Sequence, residues 1–390
     1  MSSTNPKKTK NLKIALVHDF LIYQGGAEKV LETLCEIFPE APIYTLLYDE
    51  KNMKKMFEDK KIHTSFLQKF PKFIRKHHRW LLPFYASAVE TYNLRDFDLV
   101  ISSSGAWSKG IVTRVDTKHI AYIHSPMRFI WDENEKYLKR NKNFKSNFIV
   151  RQILSYLRIW DAQASKRPDF LIANSKYTQA RISKYYRRDS EIIYPPVEFV
   201  ENYFDEQGVM TPCSEKGGCG KNSKKPFMII SRLSTYKNVV LTVKAFNKLN
   251  LPLIVIGDGE ERKHLEKIAG KNIQILGWVD EKVKQKILNN SRAFIFPSED
   301  DFGIVCVEAL NARLPVIALR KGGAREIVQE GVTGEFFNAP TVEVLADGVR
   351  RFLDNENFYD KNIIKKSAEK FDKDVFKDRI LEFVEEKIKF

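Results

Sequence analysis

The chain has 390 residues, of which 43% are hydrophobic and 29% charged, a balance typical of a soluble globular protein and not of a disordered one. This length exceeds one ordinary hydrophobic core, so two domains are expected. The formal net charge of +15 favours anionic partners such as nucleotides, nucleic acid or acidic lipid surfaces. A lysine-rich composition with no such partner would give the same number.

Membrane spans and metal-binding cysteines are not expected. No apolar stretch approaches the length of a spanning helix, and the opening MSSTNPKKTKNLK lacks the apolar core of a signal peptide. We therefore expect a cytoplasmic protein in which residues 1–11 form a disordered basic tail. Cys35, Cys213, Cys219 and Cys306 complete no zinc pattern, so reduced thiols are expected, the middle two in a flexible loop.

The first βα unit follows the tail. Leu12–His18 is predicted as a strand, Asp19–Ala27 as a loop containing Gly25 and Gly26, and Glu28–Ile37 as an amphipathic helix. Such a unit can place backbone N–H groups against phosphate. The GxGxxG pattern of dinucleotide-binding oxidoreductases is absent, and a glycine pair alone indicates no more than a turn.

Further strands are predicted at 42–47 and 98–102, and a basic segment lies between them. This segment, Lys51–Trp80, interleaves ten lysines and arginines with large apolar residues such as Phe66, Phe73 and Trp80. That mixture favours contact with an anionic membrane surface. The alternative is an ordinary solvated helix whose apolar face is buried.

A candidate polar residue then ends the predicted strand Thr117–His124. His124 is followed by a proline turn and by Arg128, Trp131 and Asp132. A histidine at a strand's carboxyl end can face a cleft, although a single histidine is more often structural. The remaining strands predicted in this half are Phe170–Asn174 and Ser190–Pro196.

The alternation of strands and helices restarts after a break. Val200–Lys225 is rich in Gly, Ser, Pro, Cys and charge, and is predicted as an interdomain linker. The loop SRLSTYKN, which carries Arg232 and Lys237, lies before a predicted helix at Val239–Leu249. The strands predicted around it are Phe227–Ile230, Pro252–Ile256, Ile273–Leu276 and Val316–Ala318.

The most informative stretch is AFIFPSEDDFGIVCVEAL. Ala293–Pro297 is predicted as a buried strand, an acidic loop with Asp300 follows, and Cys306–Ala312 is predicted as a helix carrying Glu308. In open α/β sheets, ligands bind outside the carboxyl ends of the strands, and unpaired N–H groups at a helix start favour a diphosphate. Carboxylates there would accept hydrogen bonds from sugar hydroxyls. The alternative is a solvated acidic loop with a glutamate on a helix face.

The predicted fold class is α/β, with two doubly wound halves facing a central cleft. The predicted domains are a first domain at 12–199, the linker at 200–225, a second domain at 226–371 and a C-terminal helix at 372–390 that packs back on the first domain.

This constellation resembles the retaining glycosyltransferases of family 4, which have the two-Rossmann-domain architecture called GT-B. The residues that carry the resemblance are SRLSTYKN, the acidic-x7-Glu element from Asp300 to Glu308, and LPVIALRKGGAREIVQEGVTGEFF. The first acidic residue is usually Glu in the family, whereas Asp300 stands here. YIHSPMRFIWD is similar to bacterial O-antigen and exopolysaccharide mannosyltransferases.

The resemblance implies a role for each matching residue. Arg232 and Lys237 would hold the donor diphosphate and stabilise the leaving nucleoside diphosphate. Glu308 would hold the ribose hydroxyls, Asp300 the hydroxyls of the donor sugar, and His124 the sugar near its reacting carbon. The catalytic group implied is thus His124, Arg232, Lys237 and Asp300.

Backbone groups complete the implied donor site, and no cofactor is implied. The loops would approach the donor closely at Gly25, Gly26, Gly303, Ile304 and Val305. Because cations and helix dipoles would neutralise the diphosphate, no metal is required; the nucleotide sugar is a substrate. Four residues are candidates for acceptor contacts: Asp19, Arg128, Trp131 and Asp132.

The function implied is a retaining transfer of a hexose, most simply mannose from GDP-mannose, to a lipid-linked glycan in surface polysaccharide synthesis. The enzyme would work on the inner face of the cell membrane, held there through Lys51–Trp80. The alternatives are a UDP-sugar donor, a nucleotide-sugar 2-epimerase and a non-catalytic nucleotide-sugar-binding module. The intact set of Arg232, Lys237, Asp300 and Glu308 argues against the last. No nucleic-acid recognition motif is present in the sequence.

Overall fold

The structure is a computed structural model that describes residues 12–132, 144–199 and 225–388. The predicted tail at 1–11 and the predicted linker at 200–225, apart from Lys225, lie outside the described residues, and with the linker Cys213 and Cys219. The chain divides into two compact units. Unit 1 extends to Pro196 and also includes the residues from Lys373 onward, whereas unit 2 is Val197–Asp372.

The described strands belong to two sheets. In chain order they are β1 (Ile14–Leu21), β2 (Ile43–Tyr48), β3 (Ile62–Thr64), β4 (Leu99–Ser104), β5 (Lys118–Ile123), β6 (Phe170–Ala173), β7 (Glu191–Ile192), β8 (Phe227–Ile230), β9 (Leu253–Ile256), β10 (Ile273–Gly277), β11 (Phe294–Phe296), β12 (Val316–Leu319) and β13 (Gly334–Phe337). Short 3₁₀ helices cover 54–56, 66–69, 78–84, 108–110, 235–237, 356–358 and 369–371.

The α-helices connect these strands. Within the described ranges they are α1 (Gly26–Ile37), α2 (Glu50–Met53), α3 (Lys72–Lys76), α4 (Tyr85–Glu90), α5 (Arg128–Trp131), α6 (Phe144–Ala164), α7 (Lys176–Tyr186), α8 (Val239–Leu249), α9 (Arg262–Ile268), α10 (Glu281–Asn290), α11 (Ile304–Asn311), α12 (Ala324–Ile327), α13 (Val342–Asn355), α14 (Lys361–Ala368) and α15 (Lys373–Lys387).

Both sheets are doubly wound. The sheet of unit 1 has the order β3-β2-β1-β4-β5-β6-β7, and that of unit 2 has the order β10-β9-β8-β11-β12-β13. Each recorded strand pair is parallel. In each unit the first strand lies centrally and the winding reverses beside it, which is the Rossmann arrangement. The predicted fold class of two parallel-sheet Rossmann-like domains is confirmed.

Alternate residues of β1 point into two apolar layers of unit 1. Leu16 lies in a layer with α1, and Val17 lies in the opposite layer with α4 and α6, because successive strand side chains face opposite sides. Helix α15 also belongs to the α1 layer. It contributes the buried residues Phe376, Ile380, Phe383 and Val384.

Aromatic packing covers the sheet of unit 2. Phe227 of β8 contacts Phe246 of α8 and Phe352 of α13, with ring centroids 5.2 and 5.9 Å apart. Helix α8 was predicted with the bounds it has in the structure. Its amphipathic pattern buries Val239, Val243 and Phe246 while its lysines face solvent.

Several predicted bounds are wrong. Strand β1 continues to Leu21, so Asp19 lies in the strand and not in the following loop. The predicted strand at 190–196 is reduced to the two residues of β7. Two short edge strands, β3 and β13, were not predicted from the sequence.

The basic segment Lys51–Trp80 is not one helix. It consists of short helical pieces and the edge strand β3. Its apolar residues divide between core and surface: Phe57 and Leu67 are buried, whereas Phe73 and Trp80 are 61% and 64% exposed. In the described part of the chain, no helix combines the length and apolarity needed to cross a bilayer.

Candidate functional site

The reversal point of unit 2 brings two predicted loops together. Strand β8 continues toward β9, whereas its other neighbour β11 continues toward β12, so the loops at 231–238 and 297–303 diverge from adjacent strand ends. Ligands of doubly wound sheets bind in the crevice at such a point. These loops carry Lys237 and Asp300, which are therefore placed where the sheet geometry favours a ligand.

Lys237 and Asp300 form an ion pair across this crevice. The Nζ of Lys237 donates to Oδ2 of Asp300, and the two side chains are 18% and 17% exposed. Asn238, in the left-handed region with φ 55°, donates from Nδ2 to the carbonyl oxygen of Pro297 at 2.9 Å. This bond fixes the distance between the two loops and so constrains the positions of Lys237 and Asp300.

Glu308 is nearly buried one turn into α11 and has a partner that the sequence did not reveal. Its side chain is 8% exposed, and its Oε2 lies 3.0 Å from Nζ of Lys284 in α10. The same lysine lies 2.8 Å from Oε1 of Glu281. Lys284 thus neutralises and orients the carboxylate predicted to hold ribose hydroxyls. No local spacing signal links the two, because helix packing creates the contact.

Glycines bring the acidic loop close to its neighbours. Gly303, with φ 107°, precedes α11, and a Cβ there would lie 3.1 Å from the ring of Phe296. Gly322 has φ 62°, and a Cβ there would lie 2.1 Å from the carbonyl oxygen of Asp300, a distance no side chain tolerates. The N–H of Gly323 donates to that same oxygen at 2.9 Å. The loop is therefore positioned by backbone packing.

The start of α11 presents the predicted backbone donors. Gly303 is its N-terminal cap residue and offers no side-chain hydrogen bond, and Ile304 and Val305 are the first helical residues. The first N–H groups of a helix have no partner within it, and the helix dipole adds positive potential. An anionic or hydroxyl-bearing ligand is favoured at this position.

The two predicted arginines lie in different surroundings. Arg232 is exposed two residues after β8, and its carbonyl oxygen accepts from the N–H of Ser234 at 2.8 Å within the loop. Arg128 is half-buried and opens α5. Each makes further contacts within the structure. Their predicted roles toward donor and acceptor stay predictions.

In unit 1, Asp19 organises the loop after β4. Its carboxylate, buried at the end of β1, accepts four backbone N–H bonds of 2.6–2.9 Å, from Gly105, Ala106, Trp107 and Ser108. This loop and β1 lie at the reversal point of the unit 1 sheet. Asp19 therefore has a loop-building role, and acceptor contact by its side chain stays a prediction.

His124 is the last of four polar side chains that contact one another in series near the carboxyl ends of β1, β4 and β5. Its Nε2 lies 2.7 Å from Oγ of Ser103, and that oxygen lies 3.1 Å from Nδ1 of His18. Nε2 of His18 is 3.5 Å from Oε1 of Glu28. Sequence analysis identified His124 alone, because the other three residues come from separate elements and no motif joins them.

Gly25 and Gly26 lie at the start of α1, beside Glu28 of this polar series. Gly25 is the N-terminal cap residue in extended conformation, and Gly26 is the first helical residue. A Cβ on Gly25 would lie 2.9 Å from Oε2 of Glu28. The glycine pair thus adds no side chain of its own at the start of α1, where the side-chain carboxylate of Glu28 lies beside Gly25.

Trp131 and Asp132 are held by neighbouring side chains. Trp131 stacks on Tyr185 with ring centroids 4.7 Å apart and donates from Nε1 to Oδ2 of Asp161 at 2.8 Å. Asp132 accepts from Arg181 and from the hydroxyl of Tyr185. Both residues are therefore rigidly placed, and their predicted contact with an acceptor stays a prediction.

A buried ion pair also holds the loop after β4, the loop whose backbone N–H groups Asp19 binds. Nζ of Lys109 lies 2.5 Å from Oδ1 of Asp161, and the two side chains are 1% and 0% exposed. The ammonium also donates to the carbonyl oxygen of Ala106, while the Tyr186 hydroxyl donates to the carboxylate at 3.0 Å. These contacts link helices α6 and α7 to the loop after β4.

Two histidines of unit 1 are held neutral. Burial lowers the pKa of His119 to about 3, and the charges of Arg188 and Arg167 act in the same direction. Burial also lowers the pKa of His124 to about 3, with a further lowering by His18. At neutral pH each ring therefore carries a single proton.

The depressed pKa values predict a loss of stability in mild acid. An unfolded histidine titrates near 6.5, so below that pH the unfolded chain binds protons that the folded chain does not. The free energy of unfolding should therefore fall as the pH falls from about 6.5 to about 3, by about 1.4 kcal/mol per pH unit for each histidine. Urea unfolding at pH 7 and pH 5, followed by tryptophan fluorescence, measures this loss.

The control for this prediction is replacement of one buried histidine. His119→Gln should weaken the pH dependence of unfolding relative to the wild type, because it removes a group whose pKa burial lowers to about 3. A His119→Gln protein with the pH dependence of the wild type would contradict the assignment.

Potential metal ligands do not cluster in the part of the chain that the structure describes. Among the described residues, no group of three or more His, Cys, Asp or Glu side chains is arranged to hold a metal ion. Cys35 and Cys306 are free and buried.

Comparison with known protein families finds one match in each half of the chain. Residues 24–200 match the model described as Glycosyltransferase Family 4, and residues 216–371 match the model described as Glycosyl transferases group 1. The α-1,3/1,6-mannosyltransferase ALG2 of Candida glabrata is 23% identical over 82% of this chain and 78% of its own length. The sulfoquinovosyl transferase SQD2 of Arabidopsis thaliana is 32% identical over 38% of this chain and 31% of its own length.

The share of each protein's length that aligns with this chain is smaller for several curated relatives than for the solved structures. The chain spans only about a third to two fifths of the length of several curated relatives, between 31% and 39%. Anabaena HepE in complex with UDP and glucose superposes with a TM-score of 0.68 and 18% identity, covering 96% of this chain and 99% of the other. The lipopolysaccharide outer core galactosyltransferase WaaB superposes with a TM-score of 0.65 and 17% identity, over 97% and 100%. At such identities the likeness establishes the GT-B fold alone.

Proposed function

The chain belongs to the glycosyltransferases, with a family 4 region followed by a group 1 region, and from this premise we propose that it is a retaining hexosyltransferase. The donor proposed is a nucleotide sugar, most simply GDP-mannose, and the acceptor is a lipid-linked glycan. The two ALG2 mannosyltransferases among its relatives support mannose as the sugar, at 25% and 23% identity.

The observation that carries the proposal is the Lys237–Asp300 pair at the reversal point of unit 2. A donor has a dianionic diphosphate next to a hydroxyl-rich sugar. Here the ammonium of Lys237 lies beside the carboxylate of Asp300. The first N–H groups of α11, at Ile304 and Val305, follow Asp300 closely in the sequence. In the proposed complex Lys237 and Arg232 turn to the diphosphate, and Asp300 accepts from sugar hydroxyls.

In the proposed complex, the cations would accelerate sugar transfer by stabilising the negative charge that develops on the leaving diphosphate. As the bond between the sugar and the diphosphate breaks, negative charge grows on the leaving phosphate, and fixed cations stabilise it without reorganisation. Lys284 offsets the charge of Glu308, so in the proposed complex this carboxylate would accept from ribose hydroxyls without repelling the diphosphate strongly. The leaving phosphate would accept the acceptor's proton in the retaining route that the family resemblance implies.

The deciding experiment is a screen of donor turnover. Purified protein is incubated with GDP-mannose, GDP-glucose, UDP-glucose and UDP-galactose, with and without a polyprenyl-linked sugar acceptor, and nucleotide release is measured. Preferential turnover of GDP-mannose that rises with acceptor supports the proposal. Turnover of a UDP-sugar instead would support the alternative donor, and acceptor-independent formation of a 2-epimer would support an epimerase.

The same assay tests the proposed independence from metal. Lys237, Arg232 and the start of α11 would supply the positive potential that a divalent cation supplies elsewhere. Activity should therefore persist in EDTA. Complete loss that magnesium or manganese restores would reject this part of the proposal.

We also propose that the surface of residues 66–84 docks on an anionic membrane. Phe66, Phe73, Trp80 and Phe84 are between 40% and 64% exposed and are interspersed with exposed lysines. Exposed aromatic side chains and lysines together favour the headgroup region of an acidic bilayer. Helix α6, which packs into the same core layer, also exposes Phe148, Tyr156 and Ile159.

Liposome flotation tests the membrane proposal. Binding to anionic vesicles should weaken with salt and weaken further when Lys69, Lys72 and Lys76 are changed to Ser, because each basic residue contributes about 1 kcal/mol. Arg75 is left in place, since its Nε donates to the carbonyl oxygen of Phe70 at 3.0 Å.

The matched control changes three exposed lysines of unit 2, Lys263, Lys267 and Lys286, to Ser, and this variant should float like the wild type. A wild-type protein that never floats with anionic vesicles at low salt would show that this surface is merely solvated.

A further inference from the structure

We propose that Glu28, His18 and Ser103 form a hydrogen-bond relay that fixes the tautomer of His124, leaving its Nδ1 unprotonated to accept from a donor-sugar hydroxyl. The inference rests on the proposed donor contact of His124 and deepens it by naming three positioning residues. The relay itself is a property of unit 1 and is measurable without any substrate.

The geometry links the four residues in series. Successive separations are 3.5 Å from Glu28 Oε1 to His18 Nε2, 3.1 Å from His18 Nδ1 to Ser103 Oγ, and 2.7 Å from Ser103 Oγ to His124 Nε2. His18 and Ser103 are register partners on β1 and β4, so their side chains lie side by side on one face of the sheet. They are 3% and 0% exposed, which keeps water out of the middle of the series.

The carboxylate sets the direction of the relay. A carboxylate can only accept, so the His18 tautomer that pairs with Glu28 carries its proton on Nε2 and leaves Nδ1 as an acceptor toward Ser103. The opposite tautomer would place a nitrogen lone pair against the carboxylate at 3.5 Å. The hydroxyl of Ser103 then donates to His18, and its oxygen accepts from His124.

The last link determines what His124 presents. Because its Nε2 donates to Ser103 and the neutral ring carries one proton, Nδ1 is left with a lone pair. A lone pair at this position pairs with a hydroxyl and repels a carbonyl or phosphate oxygen. The relay therefore makes His124 selective for a hydroxyl-bearing group such as a sugar, and reversing the relay would abolish that selectivity.

The test reads the tautomer directly. Protein labelled with ¹⁵N-histidine is studied at pH 8, where imidazoles are ordinarily neutral, by long-range ring correlations, and the signals of His124 are assigned with a His124→Gln variant. The wild type is expected to show protonated Nε2 and unprotonated Nδ1 at His124. A wild-type spectrum with the proton on Nδ1 would overturn the proposal.

Two variants interrupt the relay at different points. Ser103→Ala removes the bridge, and Glu28→Gln removes the carboxylate that sets its direction; each should give mixed tautomers at His124 and lower kcat about tenfold, the effect of one hydrogen bond, with little change in KM. Glu28 is the more accessible of the two, at 15% exposure, so its variant serves if Ser103→Ala fails to fold.

Matched controls come from neighbouring positions. Ser102→Ala removes an equally buried hydroxyl that bonds Nε2 of His119 at 2.8 Å, and Glu32→Gln makes the same change one turn further along α1. Neither should alter the His124 tautomer. If Ser103→Ala and Glu28→Gln also leave it unaltered, the relay is rejected. Failure of the proposed transferase would instead appear as absent turnover in the wild type, whatever the spectrum shows.

Discussion

Lys237→Ala is expected to reduce turnover about a hundredfold or more, the scale of one lost charge contact in a transition state. In the unliganded chain Lys237 neutralises Asp300, and in the proposed complex it meets the diphosphate whose charge grows during bond cleavage. The loss should appear mainly in kcat and in kcat/KM, because the contact strengthens as the reaction proceeds. Arg232→Ala is expected to have an effect of similar size.

Two controls make the Lys237 result specific. Lys248→Ala makes the same change in the same unit, at an exposed lysine 3.6 Å from Glu343, and should leave turnover unchanged. Urea unfolding of Lys237→Ala, compared with the wild type, shows whether leaving Asp300 without this partner disturbs the fold of unit 2, and so separates a lost diphosphate contact from a structural defect. Near-normal rates for both Lys237→Ala and Arg232→Ala, in folded protein, would reject the diphosphate role.

Lys109→Met is expected to destabilise unit 1 by about 3 to 5 kcal/mol, the cost of leaving one partner of a buried ion pair uncompensated. Asp161 is 0% exposed, so solvent cannot screen its charge once the ammonium is gone. Urea unfolding monitored by tryptophan fluorescence measures the change, and the probe is suitable because Trp107, Trp131 and Trp160 all lie in unit 1.

A double-mutant cycle separates the charge effect from lost packing. Adding Asp161→Asn to Lys109→Met removes the orphaned charge while keeping acceptors for Trp131 and Tyr186, so much of the lost stability should return. Lys248→Met is the exposed control and should change stability little. A Lys109→Met variant that loses less than about 1 kcal/mol would show that the pair is not the anchor described.

The repeating βα architecture was predictable because both faces of a parallel sheet are covered. Its strands are therefore short apolar runs, and LKIALVH or FMII can be recognised as strands without any alignment. For α8, the residues at which the helix was predicted to begin and end are those of the structure. At the two edges of the unit 1 sheet the strands are short: β3, with three residues, was not predicted, and β7, with two, was predicted too long.

The candidate site was predictable only in part. Its loops follow from the rule that ligands lie at strand ends, and Lys237 and Asp300 follow from the family resemblance. Lys284 and Ser103 were missed because their partners are brought to them by tertiary packing, 24 and 21 residues away in sequence. The roles of Asp19 and Lys109 were hidden for the same reason, since their contacts join β1, β4 and α6.

Helix α15 has a consequence for biosynthesis. It belongs to unit 1, where it covers the apolar side of α1 and pairs Lys373 and Lys377 with Glu36 at 2.6 and 2.8 Å, yet in the chain it follows all of unit 2. At a ribosomal speed of about 5–20 residues per second, the stretch Val197–Asp372 takes about 10 to 35 seconds to emerge. During that interval the nascent first sheet keeps an uncovered apolar layer, which makes it a natural client for a chaperone that binds exposed hydrophobic surface.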